Sequence, residues 1–292
     1  MRRRVFENFG QCTKEGTLNQ SSENNAKFGT IRIQYQTSAA SLGGIDSISS
    51  SFDSRIIGGS NAERRQFPYM ISLHSKGNHG CGASILSHTW VITAAHCLVT
   101  NFGLKYAAIQ VIAGLFHQHE SHPDVQKSSV TKVVIHPNYF YNYTKFLLIL
   151  FKAVTSTIKI SFVFLAMLDN DIALLKLASP LIFTNAVQPV KLPSTHQAFT
   201  KGWLSGWGIY QRPPALPVTL QYAIVCAMPP TEGSETACNG DSGGPIDDDG
   251  VLIGITSWVV TCPIYKKNAP IVFTAVNKYS DFNNEHVDDL PL

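Results

Sequence analysis

The stretch Gly240-Asp241-Ser242-Gly243-Gly244-Pro245 constrains this chain more than any other. Glycine lets a backbone turn through conformations closed to other residues and leaves neighbouring N–H groups unshielded. A serine among such residues has what an acyl-transfer nucleophile needs. Attack of its oxygen on a carbonyl creates an oxyanion, and the N–H groups of Gly240 and Ser242 stand where they could bind it. A plain Gly/Asp/Ser turn uses the same residue types, so the rest of the chain must decide between the two.

The length of 292 residues allows one or two domains. Short β-branched runs alternate with scattered Gly and Pro, which favours an all-β architecture. A net charge of +3 is too small to argue for a nucleic-acid partner, and no basic run with interleaved aromatics occurs. Six cysteines, Cys12, Cys81, Cys97, Cys226, Cys238 and Cys262, include no C-x-x-C pair of the kind that binds zinc. Disulfides in an oxidising compartment are the better reading, and nothing in the pattern asks for a metal or an organic cofactor.

Three further blocks accompany the hexapeptide: Arg55 followed by Ile56-Ile57-Gly58-Gly59, Thr93-Ala94-Ala95-His96-Cys97, and Asp169-Asn170-Asp171-Ile172-Ala173-Leu174-Leu175. Together, in the order His, Asp, Ser, they resemble the chymotrypsin/trypsin family of serine endopeptidases, of the arthropod-type secreted zymogen kind. The resemblance covers most of 56–139 and 169–282. It implies two antiparallel β-barrels with a catalytic cleft between them, and a triad of Ser242 as nucleophile, His96 as base and Asp171 as the carboxylate that orients it. It also implies an oxyanion hole from Gly240 and Ser242, and disulfides Cys81–Cys97 and Cys238–Cys262. Cleavage after Arg55 would free an ammonium on Ile56 to pair with Asp241. A buried carboxylate is costly without a partner, so that pairing would set the Gly240 and Ser242 amides.

In chain order, residues 1–55 are polar, show no helical or strand period, and read as a disordered propeptide. The protease domain follows over 56–285, with a first barrel over about 56–180. Strands are expected at Tyr69–Leu73, Cys81–Leu86, Trp90–Thr93, Ile109–Ala113 and from Val130 towards Tyr139. Two anomalies interrupt the family pattern. The apolar run Phe146–Met167, inside an insertion over about 140–167, has the length of a membrane helix. Lys152 and Lys159 within it argue against a span, and a span there would part His96 from Asp171. A translated intron in an imperfect gene model is preferred. The second barrel, about 181–285, then lacks a segment after Ala223, where relatives carry a strand, a helix with a cysteine and another strand. Unpaired ladder edges are the expected result, and Cys226 loses its usual partner. A Cys12–Cys226 bridge exists only on paper. The tail 286–292, with Asp288 and Asp289, reads as solvated and as departing from the family's closing helix.

By the same resemblance, Ser257-Trp258-Val259 pairs with extended substrate, and Ser257 hydrogen-bonds Asp171. Thr236 floors the primary pocket, and Val259 and Ile271 line its walls. No charge awaits a basic side chain there, so small or medium aliphatic residues are expected before the cut bond. The implied partners are protein or peptide substrates, an activating trypsin-like protease and protein inhibitors, with no nucleic acid or membrane, for a monomer secreted to the extracellular space. No apolar leader follows Met1-Arg2-Arg3-Arg4, so a missing first coding segment is expected. The rival readings are a catalytically silent, protease-like binding protein and a mistranslated chain that does not fold.

Overall fold

Strands dominate, and the best buried of them are short, continuous apolar runs. In Trp90-Val91-Ile92, and again in Ile172-Ala173-Leu174-Leu175, every residue is apolar, and successive side chains must point to opposite faces. Both faces therefore have to be buried. The computed structural model describes residues 30–33, 59–100, 103–104, 109–139, 169–194, 201–208, 218–226, 237–238, 240–259 and 271–291. The insertion over about 140–167, together with Cys12, Arg55, Ile56, Thr236 and Cys262, lies outside the described residues.

The strands in order are β1 (Thr30–Ile33), β2 (Ser60–Asn61), β3 (Met70–Ser75), β4 (Asn78–Ile85), β5 (Trp90–Thr93), β6 (Val99–Thr100), β7 (Gly103–Leu104) and β8 (Ile109–Ala113). They continue with β9 (Gln126–Ile135), β10 (Ala173–Leu177), β11 (Lys201–Gly206), β12 (Gln221–Cys226), β13 (Pro245–Asp248), β14 (Val251–Val259) and β15 (Ile271–Ala275). One helix, α1 (Ser280–His286), closes the chain.

The first half is a closed antiparallel barrel in the order β10-β5-β4-β3-β8-β9. The second half is a seven-stranded antiparallel sheet in the order β1-β15-β14-β13-β11-β12-β2. Strand alternation divides the core between them. Val91, Val111, Ala173, Leu175 and Leu177 fill the first barrel. Their neighbours Trp90, Ile92, Ile112, Ile172 and Leu174 turn the other way and pack with Trp207, Leu252, Ile255, Val276 and Phe282 of the second half. Both faces of β5 and β10 are thus buried, and the loops carrying His96 and Asp171 are held rigidly against the second half.

Two regions differ from the sequence reading. Residues 30–33, where no strand period was expected, form β1 and pair with β15. The C-terminus does form a helix, and its tail is tied down. Phe282 draws α1 onto the core shared by the two halves. Asp288 accepts hydrogen bonds from Trp90 Nε1 and Lys176 Nζ, each at 2.7 Å. Asp289 accepts from Ser87 Oγ at 2.5 Å and Thr89 Oγ1 at 3.0 Å. The donors from Lys176 and Trp90 hold the Asp288 carboxyl at about 2. The tail is therefore a clasp on the first barrel.

Candidate active site

His96 lies in a single 3₁₀ turn, Ala95–Cys97, directly after β5. The disulfide Cys81–Cys97, with Cα atoms 6.2 Å apart, ties that turn back to β4. Asp171 sits one residue short of β10, ahead of Ile172, and β10 pairs with β5 through Ala173 and Thr93. Ladder register alone therefore brings the two residues together. Asn170 helps by adopting a left-handed conformation at φ 56°, which Asn tolerates better than most residues. Its side chain is fixed from both sides, donating to the Asn138 carbonyl and accepting from Tyr279 Oη.

The Asp171 carboxylate is fully buried and saturated with donors. Oδ1 accepts the His96 backbone N–H at 2.9 Å. Oδ2 accepts from His96 Nδ1 at 2.8 Å and from Ser257 Oγ at 2.5 Å. The Thr274 hydroxyl donates to the Asp171 carbonyl at 2.9 Å. An ionised carboxylate only accepts, so Nδ1 of His96 must carry the proton, which leaves Nε2 with the lone pair of a base. Burial works against protonating His96, but the Asp171 charge and hydrogen bond outweigh it and raise its pKa above the ordinary 6.5.

Ser242 and His96 line one cavity of about 220 Å³, together with Leu73, His74, the Cys81–Cys97 pair and Gly240. No direct Ser242–His96 hydrogen bond is made, and Nε2 lies 3.9 Å from Cys97 Sγ. Catalytic contacts of this kind commonly close only around substrate. The hexapeptide backbone is anchored at nearly every group. Gly82 N–H donates to the Ser242 carbonyl, Asp241 N–H to Cys238, Gly243 N–H to Thr256 and Gly244 N–H to Asp241. Among the described residues, the N–H groups of Gly240 and Ser242 are bound by nothing. Gly243 has φ +76°, and a Cβ there would meet Thr93 Oγ1 at 2.2 Å. Only glycine fits that position.

Asp241 is also fully buried. It accepts from Gly208 N–H at 2.8 Å and Cys238 N–H at 3.0 Å. No cation faces it among the described residues, and burial pushes its pKa up to about 6 despite those two donors. Gly206 and Gly208 give it room, since a Cβ on either would lie 2.2 Å from a carboxylate oxygen.

This arrangement can accept a proton from Ser242, hold the resulting imidazolium and bind an oxyanion. It also has a match among known proteins: the family described as Trypsin matches residues 56–282. The chain belongs to the trypsin family. Among curated trypsin-like relatives, mouse kallikrein 1-related peptidase b22 is 31% identical, over 83% of this chain and 93% of its own length. Trypsin-1 of Astacus astacus is 30% identical, over 78% of this chain and 98% of its own. The bovine suppressor of tumorigenicity 14 protein homolog is 29% identical over 78% of this chain, which spans only 28% of that longer protein. The all-β fold expected from the sequence is that of the trypsin family.

Several residues important to this trypsin-family site had no signal in the sequence reading. His79 on β4 is buried. Its Nε2 lies 2.9 Å from the Gly240 carbonyl and its Nδ1 lies 2.7 Å from Ser72 Oγ. A carbonyl can only accept, so Nε2 donates and Nδ1 takes the Ser72 hydroxyl proton. Burial lowers the His79 pKa to about 4, so the ring is a neutral strut under the nucleophile loop. Thr93, which donates to the Gly82 carbonyl, and Thr274 are further supports.

Of the expected pocket residues, Val259 and Ile271 are opposite each other in the β14–β15 register. Ile271 shares a buried cluster with Ala237, the residue after Thr236. Trp258 is partly exposed beside them. Cys238 is disulfide-bonded. Cys81, His96 and Cys97 form a cluster of metal-ligand types, but both sulfurs are consumed in the disulfide and no thiolate remains for a metal. No described helix is long and apolar enough to cross a membrane.

Proposed function

We propose that this chain is a secreted serine endopeptidase, made as a zymogen and activated by cleavage after Arg55. The observation that carries the reading is a single cavity shared by Ser242 and an Asp171-oriented His96, flanked by the N–H groups of Gly240 and Ser242, which no other described residue binds. Ser242 Oγ attacks the peptide carbonyl while His96 Nε2 takes its proton, and the oxyanion settles between the two N–H groups. His96 then protonates the leaving amine as the C–N bond breaks. Water repeats the cycle on the acyl-enzyme and releases the acid. No metal or organic cofactor takes part. The partners are protein or peptide substrates, an activating trypsin-like protease and inhibitors that fill the cleft.

Activation follows from Asp241. Its burial without a cation is unfavourable, and the freed ammonium of Ile56 relieves this by pairing with it, fixing the adjoining amides. A fluorophosphonate probe tests the whole reading. After cleavage at Arg55 it should add one phosphonyl group to Ser242, while the His96→Ala variant and the uncleaved chain should take up less than a hundredth as fast. The acid limb of the labelling rate should lie above the ordinary imidazole value, as His96 does. Cleaved, folded protein that never labels at Ser242 would return the chain to the silent binding-protein reading.

Specificity is proposed for the same site. Thr236 brings no charge to the pocket floor, and a substrate Arg or Lys would be desolvated there without a partner. Val259 and Ile271, opposite each other in the β14–β15 register, are assigned to the pocket walls by the family resemblance. Matched peptides with Ala, Leu, Phe or Arg before the cut bond should show kcat/KM highest for Ala or Leu and at least tenfold lower for Arg. A preference for Arg would overturn this assignment.

A further inference from the structure

The second sheet poses a structural problem that the trypsin-family site depends on. Its strand β15 is buried along its whole length. It carries Thr274, whose hydroxyl holds the Asp171 carbonyl, and it pairs with β14, which carries Ser257. One flank of β15 is covered by β14. After Ala223, where the family resemblance leads one to expect further strands, this chain runs to Cys226 at the end of β12 and resumes its described course at Ala237. The other flank of β15 would then be a row of bare N–H and C=O groups on a buried strand, and such groups are almost always paired in folded proteins.

That flank is occupied by β1. Thr30 lies opposite Thr274, Ile31 opposite Phe273, Arg32 opposite Val272 and Ile33 opposite Ile271, antiparallel throughout. The segment suits the place. Ile31, Ile33 and Tyr35 alternate with Thr30, Arg32 and Gln34, a period-two pattern of β-favouring residues in an otherwise polar stretch. Residues 34–59 can reach roughly 85 Å when extended, at about 3.3 Å per residue. The tether therefore leaves β1 free to sit at one edge of the sheet while β2 pairs with β12 at the other.

We propose that residues 30–33 are a structural strand of the protease, donated by the N-terminal segment to complete the second sheet, and that they stay bound after cleavage at Arg55. The active form is then a two-chain enzyme, in which the cleaved N-terminal segment remains a strand of the catalytic body. The retention step rests on the proposed cleavage after Arg55; the strand itself does not.

The full chain tests this, with Cys12→Ser so that no disulfide can tether the fragment and with residues 51–55 replaced by an enteropeptidase site. After cleavage, the fragment ending at residue 55 should co-elute with 56–292 on gel filtration and separate only in denaturant. In the double variant Ile31→Pro with Arg32→Pro, one of the two lost N–H groups must face β15, because they alternate along an antiparallel strand. That fragment should elute alone, and amide exchange over 271–275 should quicken at least tenfold. If the proline variant does not fold, exchange in the uncleaved parent decides. Residues 30–33 should exchange at least tenfold more slowly than an unstructured peptide of that sequence. Free-peptide rates there would overturn the proposal. So would a fragment that leaves at once from a catalytic body that remains folded. A fragment that co-elutes while Ser242 stays unreactive to fluorophosphonate would support the strand and count against the activation reading instead.

Discussion

Asp171→Asn is expected to lower kcat of the cleaved enzyme by about 10⁴-fold, the loss general to triads of this type, while leaving it folded. The reason lies in the donor count around the carboxylate. Oδ1 serves the His96 backbone N–H, and Oδ2 serves both Nδ1 and Ser257. An amide has only one oxygen. If that oxygen stays on the backbone N–H, the new NH₂ group faces Nδ1, which must become an acceptor, and the ring proton moves to Nε2. The base then has its lone pair on the wrong nitrogen. If the amide flips, NH₂ meets the backbone N–H of His96 and two donors face each other. The first arrangement is the milder, so the fold survives and the tautomer does not. Peptide hydrolysis and the rate of fluorophosphonate uptake should fall together, with little change in KM. Activity within tenfold of the parent would show that Asp171 does not set the tautomer of His96.

The first barrel was legible because its local and global preferences agree. Trp90–Thr93 and Ile109–Ala113 are strands over the residues expected. β4 and β9 begin a few residues earlier than expected, at Asn78 and Gln126, as ladder pairing recruits neighbours that have little preference of their own, and they end earlier, at Ile85 and Ile135. The blocks around His96, Asp171 and Ser242 stood out because each combines residue types that chemistry, not packing, requires.

What escaped the sequence reading depends on partners far along the chain. β1 is short and lies among Ser, Asn and Gln, so the composition of the stretch masked the alternation of Ile31, Ile33 and Tyr35. Only the uncovered flank of β15 makes it a strand. Ser280–His286 lacks a side-chain cap, and its helix is drawn in by Phe282 packing on the shared core. Asp288 and Asp289 resemble any solvated tail until Trp90, Lys176, Ser87 and Thr89 are folded beside them. His79 is one of ten histidines, and only the backbone reversal at Gly240 tells it from the rest.

Asp241 carries the second large expectation, on stability as well as activity. In the uncleaved chain its carboxyl titrates at about 6, against 3.8 for an ordinary aspartate, because burial disfavours the charge. The unfolded chain therefore loses this proton first as pH rises. Between about 4 and 6 the folded state holds more protons, so stability falls as pH increases and stays lower above that window. A shift of about two units corresponds to about 3 kcal/mol. Asp247, pushed to about 6 by its own burial, titrates in the same window and remains as background in any variant. Asp241→Asn removes the Asp241 share. The asparagine loses one acceptor for the Gly208 or Cys238 N–H, so near pH 4 the variant should be the less stable protein. By pH 7.5 the gap should have moved about 3 kcal/mol in its favour, read from urea unfolding of the uncleaved chains at the two pH values. Under the proposed activation the preference should reverse once Arg55 is cut, since the Ile56 ammonium would need the charge that asparagine lacks. The variant, better adapted to the uncleaved state at neutral pH, should be at least a hundredfold less active after cleavage. If its stability relative to the parent does not change between pH 4 and 7.5, Asp241 is not held as an uncompensated buried acid, and the electrostatic cause proposed for activation fails with it.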